Sequence, residues 1–399
     1  MRIWAVAIAF PCAALFSWSL SLNAQTQSQN QAQSQPSGLS QTPNWPSSLK
    51  VGASALFLYR QSNFAKEDFT AADTETERNG LHIQEAEISF SSEVDPYSKL
   101  NLLLSIHPEY EHDESTRQTE QSWLIEPEEL YAESLALPYT ALRLGKFKAA
   151  FGKHNQLHTD TFPLVDPPVA HAVLLGDEGL NDVGGSAAVL LPVNWYSELI
   201  GQYLRGEGEN AEFNSPSPSD GVGVGHWKNL WDLSDALTME VGASFAHGKN
   251  ALGGHTALYG SDLTFKWRPV IGGKYRSWIL AGEYLRRELE QPGTAEETGD
   301  GWNVWGSYQF AERWSAAVRY DYLRVDGSSA DEVLNPNGLE NGTTRKYSAG
   351  VTFKPSEFSM FRIEYNQAEG PASAHGETVE NKIYLQAGFV IGSHPPHTY

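Results

Sequence analysis

Apolar and polar residues alternate strictly along much of this chain. "GWNVWGSYQF" (301–310) sets Trp302, Val304, Tyr308 and Phe310 on one face and Asn303, Ser307 and Gln309 on the other. "RWSAAVRYDYLRV" (313–325) sets Trp314, Ala316, Val318, Tyr320 and Tyr322 against Ser315, Arg319 and Asp321. "KYSAGVTF" (346–353) and "KIYLQAGFVI" (382–391) repeat the pattern. A period of two is the mark of a strand with one greasy and one wet face. Sixteen such segments are predicted, near 49–60, 81–93, 97–109, 126–137, 139–149, 181–192, 195–206, 223–233, 236–248, 255–268, 275–289, 299–311, 313–326, 343–354, 358–369 and 380–391. Each is long enough for a tilted membrane strand of about 9–11 residues. Aromatics gather at segment ends, as the girdles at two membrane interfaces require.

The connections alternate too. Joints after even-numbered segments are mostly tight, among them "VDP", "PVN", "AER" and "KPSE", whereas those after odd-numbered segments include 61–80, 110–125, 150–180, 207–222 and 327–342. Short turns at one end and long loops at the other predict a transmembrane antiparallel β-barrel. A sandwich with crossover connections has no reason to obey that rule. Closure is needed because an open sheet edge in hydrocarbon leaves unpaired backbone groups. Sixteen strands are also expected to enclose a water-filled lumen.

Composition refines the picture at the ends of the chain. Residues 1–24 read as a cleaved signal peptide: Arg2, an apolar stretch, then Leu22-Asn23-Ala24. Cys12, the sole cysteine, lies within it, so no disulfide or thiolate metal site is expected in the exported chain. Residues 25–48 are Gln/Ser-rich with little to bury and read as a periplasmic arm, leaving 49–399 for the barrel. The net charge of −21, or −22 without Arg2, excludes nucleic acid as a partner. Beyond the leader no apolar run is long enough for a spanning helix.

One segment breaks the strand grammar. "RLGKFKAAFGKHNQLHTDTFPLVDPP" (143–168) starts by alternating and then stops. Its opening, with Leu142, resembles the "GxFKxPFG" signature of the phosphate-selective porin O/P superfamily. The continuation through "LLGDEGLNDVGGSAAVLLP" and the closing "IGSHPPHTY" are similar to a branch labelled zinc-regulated TonB-dependent outer-membrane receptors. The resemblance implies a 16-stranded, trimeric, Gram-negative outer-membrane porin whose third external loop folds into the channel. That loop would be 150–180, stiffened by Pro163, Pro167 and Pro168, which discourage helix, and turned by Gly176, Gly179, Gly184 and Gly185.

Alternation nominates the pore lining. Inward acids include Glu85, Glu87, Glu133, Glu198, Glu240, Asp262, Asp321 and Glu364; inward bases include Arg143, Lys266, Arg268, Arg319, Arg362 and Lys382. A phosphate channel of the resembled family implies an arginine ladder and a lysine cluster. Here acids interleave with the bases, so weak cation preference or little preference is expected. Lys146, Lys148 and Lys153, around Phe147 and Phe151, are either a basic patch at the constriction or interfacial lysines reaching lipid headgroups. His154, His158 and Asp160 form a candidate zinc set, because histidines four apart share one side of a helical turn. Asp166, His171, Asp177 and Glu178 follow in the loop, and His394 and His397 lie at the terminus. Loop-to-wall hydrogen bonds or plain solvation are the alternative roles for these side chains. No other cofactor is expected.

The function expected is passive diffusion of small hydrophilic solutes or ions through a lipid-embedded homotrimer in the outer membrane. A TonB-linked or zinc-related uptake receptor is the alternative. An enzyme is not expected, since no GxSxG motif or Ser/His/acid set stands out.

Overall fold

The structure is a computed structural model. It describes residues 49–63, 79–113, 118–176, 178–207, 212–215, 217, 219–291, 293, 296–328, 340–371 and 379–392. The expected signal peptide and arm lie outside the described residues, as do Asp177, His394 and His397.

Sixteen strands form. They begin with β1 (Lys50–Ser62), β2 (Gly80–Asp95), β3 (Ser98–Asp113) and β4 (Gln118–Ser134). A short group follows: β5 (Thr140–Lys148), β6 (Asn181–Leu190) and β7 (Tyr196–Leu204). Next come β8 (Val222–Ser234), β9 (Leu237–Lys249), β10 (His255–Trp267), β11 (Ser277–Leu289) and β12 (Glu297–Ala311). The last are β13 (Trp314–Asp326), β14 (Gly342–Ser356), β15 (Ser359–Glu369) and β16 (Glu380–Gly392). Every strand pairs antiparallel with its neighbours in sequence, and β1 pairs with β16 from Gly52↔Gly392 to Ser62↔Lys382. The cylinder is closed, so no sheet edge meets lipid.

Why these residues form these strands follows from the two faces. On β12, Trp302, Val304, Tyr308 and Phe310 are exposed while Trp305 and Asn303 are buried inside. On β13, Val318 is exposed while Arg319, Asp321 and Leu323 are buried. Bulky apolar side chains therefore face outward, as a lipid-facing wall requires. Aromatic belts mark both ends of it. Near the short turns Trp195 stacks on Trp231, Trp267 on Trp278, and Trp314 lies against Phe353. Toward the long loops Trp302 lies against Tyr320 and Tyr322. Local chemistry shapes the tight turns: Asp95 accepts hydrogen bonds from the Tyr97 amide and the Ser98 hydroxyl, both at 2.8 Å.

The lumen departs from the expected water-filled bore. After β5 the chain turns inward, and the described residues between β5 and β6 cross the cylinder. Their apolar side chains, among them Phe151, Leu174, Leu175 and Leu180, pack with Phe147, Leu204, Val222, Leu258, Leu285 and Leu323 of the inner wall. A second patch joins Val165 of the loop to Leu58 and Tyr384. The next long loop contributes Phe213 to the same core. It is held by buried Arg287, which pairs with both Glu212 and Glu297. Sixteen strands make a cylinder too wide for their own side chains to fill, and the loops fill much of the remainder.

The loop also contains a helix that its prolines were expected to discourage. This helix, α1 (Val169–Leu175), starts directly after Pro168, where a missing N–H costs nothing. Proline sets where the helix begins rather than preventing it.

Candidate functional site: the loop across the lumen

The motif "GKFKAAFG" forms the root of the inward loop, and each residue has a physical role there. Gly145 lies at φ +139, and a Cβ would meet the Leu130 carbonyl oxygen at 2.1 Å. Phe147 and Phe151 enter the core, with Phe147 edge-on to Tyr131. Gly152 lies at φ +60 beneath Glu283, where a Cβ would fall 1.7 Å from Oε1. Only glycine suits that conformation and that contact. Glu283 can then accept the amides of Lys153 and His154, at 3.0 and 3.2 Å. Asn155 ties the neck: its side chain donates to the carbonyls of Ala149 and Leu180 and accepts the Leu180 amide.

The far half of the loop is gripped by charge. Arg319 donates to the carbonyls of Asp166 (2.7 Å) and Pro167 (3.0 Å) and pairs with Asp321 at 2.8 Å. Arg362 donates to the Phe162 carbonyl at 2.9 Å, and Glu364 accepts the Val165 amide at 2.7 Å. Asp166 pairs with Lys346 and receives the Asn366 amide at 3.1 Å. Burial alone would raise the Asp166 carboxyl, but Lys346 and Arg319 outweigh it and hold it well below the usual carboxylate range. Arg319, Asp321, Arg362 and Glu364 thus face inward as the alternation indicates, yet they anchor the loop rather than lining open water.

Two cavities flank the loop. One, of about 370 Å³, lies toward the short turns and is lined by Lys153, Asp235, Thr238, Glu240, Lys266 and Arg268. Lys153 pairs with Glu240 across it at 3.0 Å. The other, of about 140 Å³, lies toward the long loops and includes Asp166, Thr344, Lys346, Asn366, Glu380 and Lys382. Asp262 points inward and is buried over Gly242. Arg143 pairs with Glu133 at 2.8 Å and covers the Tyr131 ring.

The three lysines of the root divide. Lys153 faces the first cavity. Lys148 is turned into the barrel, 2.8 Å from Glu128. Lys146 pairs across strands with Leu130 and Val183, both exposed on the outer wall, and so leaves the pore-lining set.

The histidines also part company. His154 belongs to a single 3-10 turn, His154–Gln156, and the backbone is extended at Leu157 and His158. The helical spacing that would align His154 with His158 is therefore lost. His154 packs instead on His171 and Phe162, at ring distances of 4.9 and 4.5 Å, and His171 reaches Glu283 at 3.3 Å. Burial, then His171 and Arg319, push the His154 imidazole well below its ordinary value. Asp160, in the turn Thr159–Thr161, completes no ligand set among the described residues.

His158 meets Glu87, an acid nominated by alternation, together with Glu128 and Glu129, which alternation does not nominate. Its Nδ1 lies 3.1 Å from Glu128 and 3.9 Å from Glu87, and its Nε2 lies 3.4 Å from Glu129. Burial alone would lower this imidazole, but its hydrogen bonds to Glu128 and Glu129 hold it well above its ordinary value. Glu85 is nearby on β2, accepting from Ser105 at 3.1 Å. Two bulges create this cluster. The β1–β2 register skips Gln84, and the β3–β4 register skips Glu128 beside Pro127. Each adds a residue to one strand and shifts its phase. Simple alternation fails at such points, so nothing in the period of two marks Glu128 as inward-facing.

The geometry defines a transmembrane β-barrel of sixteen strands with a loop docked across its lumen. Comparison with known proteins agrees on the barrel. Residues 229–391 match the family described as "Putative beta-barrel porin-2, OmpL-like". An uncharacterised protein of Aquifex aeolicus (strain VF5) is 28% identical over 357 residues, spanning 81% of this chain and 71% of that one. Among solved structures, an anion-selective porin from Comamonas acidovorans superposes with a TM-score of 0.56 at 8% identity, covering 86% of this chain and 99% of that one. A trimer form of OmpT, an outer membrane protein of Vibrio cholerae, gives 0.53 at 10% identity, with 86% and 100% covered. Identities this low speak for the fold.

Proposed function

We propose that the protein is a porin-like channel of the outer membrane, passing small hydrophilic solutes or ions passively along a narrow route beside the docked loop. The observation that carries this reading is the pair of charged cavities on either side of that loop, inside a closed barrel with an apolar exterior. Both cavities carry mixed charge: Lys153, Lys266 and Arg268 with Asp235 and Glu240 in one, Lys346 and Lys382 with Asp166 and Glu380 in the other. Interleaved signs favour small conductance with weak ion preference over a strong filter of either sign. A TonB-linked receptor would be expected on about 22 strands around a plug. Sixteen strands crossed by their own loop favour passive permeation instead.

The test is reconstitution of purified protein in planar bilayers. Small, resolved current steps with a reversal potential near zero in asymmetric KCl are expected. Silent membranes, both for wild type and for the loop-loosened variant Asp166→Asn, would remove the channel reading. Strong anion selectivity would remove the mixed-charge account.

We also propose that the protein assembles as a homotrimer through the outer face of β6–β8. That face carries Gly185, Ala187, Gly201, Gly223 and Gly225 beside a recess of about 1130 Å³ bordered by Leu142, Leu144, Tyr203 and Phe245. A Cβ at Gly201, Gly223 or Gly225 would meet nothing within 4 Å. Nothing among the described residues requires glycine there, whereas close approach by another subunit would.

A further inference from the structure

We propose that Glu87, Glu128 and His158 bind one divalent cation of the zinc class and so clamp the inward loop to β2 and β4. Their donor atoms lie within 4.8 Å of one another. Glu87 is 6% exposed and Glu128 5%. Among the described residues, two carboxylate oxygens in this small space have no hydrogen-bond partner: Oε1 of Glu87 and Oε2 of Glu128. The first is the oxygen that faces Nδ1 of His158, at 3.9 Å. A proton on the imidazole can satisfy Glu128 Oε1 at 3.1 Å, but it leaves both orphaned oxygens unmatched. An ion drawn to the middle of the three side chains would engage them all.

The surroundings are arranged as a second layer around such an ion. Glu129 lies 3.4 Å from Nε2 of His158, where it can take the ring's other proton and leave Nδ1 free to ligate. The remaining oxygens are already occupied: Ser54 donates to Oε2 of Glu87 at 3.1 Å, and Lys148 pairs with Oε1 of Glu128 at 2.8 Å. One imidazole nitrogen with two carboxylate oxygens suits zinc and its neighbours, whereas calcium and magnesium favour all-oxygen sets. Three protein ligands leave a fourth position for water. His158 keeps 18% of its side chain exposed, which gives the ion a way in. The site differs from the His154, His158 and Asp160 set read from spacing, since its other two ligands come from the barrel wall.

The full chain, purified in detergent and stripped with a chelator, is to be titrated with Zn²⁺ by calorimetry and with Co²⁺ by absorption spectroscopy. One ion per chain is expected, with affinity at least tenfold weaker in Glu87→Gln and lost in His158→Ala, while His154→Ala binds like wild type. Heat-shifted gel mobility shows whether each variant has kept its barrel. Proton NMR of the Co²⁺-loaded wild type needs no variant and should show one exchangeable, paramagnetically shifted imidazole resonance. No saturable binding, equal affinity in wild type and folded Glu87→Gln, or a count of imidazoles other than one would each overturn the proposal. The measurement involves no ion flow, so it stands apart from the channel reading.

Discussion

Gly152 shows how much one residue can decide. Its left-handed backbone and its place under Glu283 let one carboxylate accept two successive amides and meet His171. Gly152→Ala is expected to lift the loop root from the wall at a cost of about 1–3 kcal/mol, seen as a lower melting temperature and new protease cleavage within 150–180. The buried imidazole next to it adds a pH dependence. The unfolded chain binds a proton at His154 near pH 6.5, whereas the depressed value in the fold disfavours it. Stability therefore falls as pH drops below about 6.5, by at most about 1.4 kcal/mol per pH unit for this one proton. His158 has the opposite sign: its contribution is complete below its unfolded value and is lost as pH rises through the raised one. Melting curves in detergent from about pH 7 to about pH 5 should show the acid loss, and His154→Phe should reduce it.

At the scale of the element, strands were legible and the loop was legible only in part. All sixteen strands appear where alternation puts them because lipid outside and polar contacts inside impose a strict period of two. The start of β4 is the exception, at Gln118 rather than near 126. Its first residues, "QTEQS", are polar throughout, so no alternation marks them. The length, position and root motif of the inward loop could be read, but its partners could not. They come from strands around the barrel, among them β2, β4, β9, β11, β13, β14 and β15, and nothing in one linear segment encodes which distant side chain will face it. Asn155 and Glu128 illustrate the gap: one works through local backbone geometry, the other through a bulge. Asp166 tests the loop as a unit. Asp166→Asn weakens its charged hydrogen bond with Lys346 and its longer-range attraction to Arg319, and a hydrogen bond to a charged group is worth about 1.5–3 kcal/mol. A loosened far half is expected to raise single-channel conductance and current noise while the barrel's heat-shifted mobility persists.

For the whole molecule, a docked loop with its own apolar core turns a wide cylinder into a narrow one. The same docking packs against the β5–β7 wall, whose strands are only nine or ten residues long. Short strands offer lipid a low wall, and that wall carries the outward glycines on β6–β8. The register sets Ala187, Gly201 and Gly225 side by side across three strands, and Gly185 and Gly223 on either side of Tyr203. Lipid alone would favour large apolar residues here, as it does on β12 and β13, because they bury more surface. A neighbouring subunit favours small ones, since they admit its side chains into the recess. Gly201→Leu and Gly223→Leu should fill the space without straining the chain that carries them. Semi-native gels and light scattering are expected to show a shift from trimer to monomer with the barrel still folded. If both variants stay trimeric, the contact lies on another face, and the glycines need a different cause.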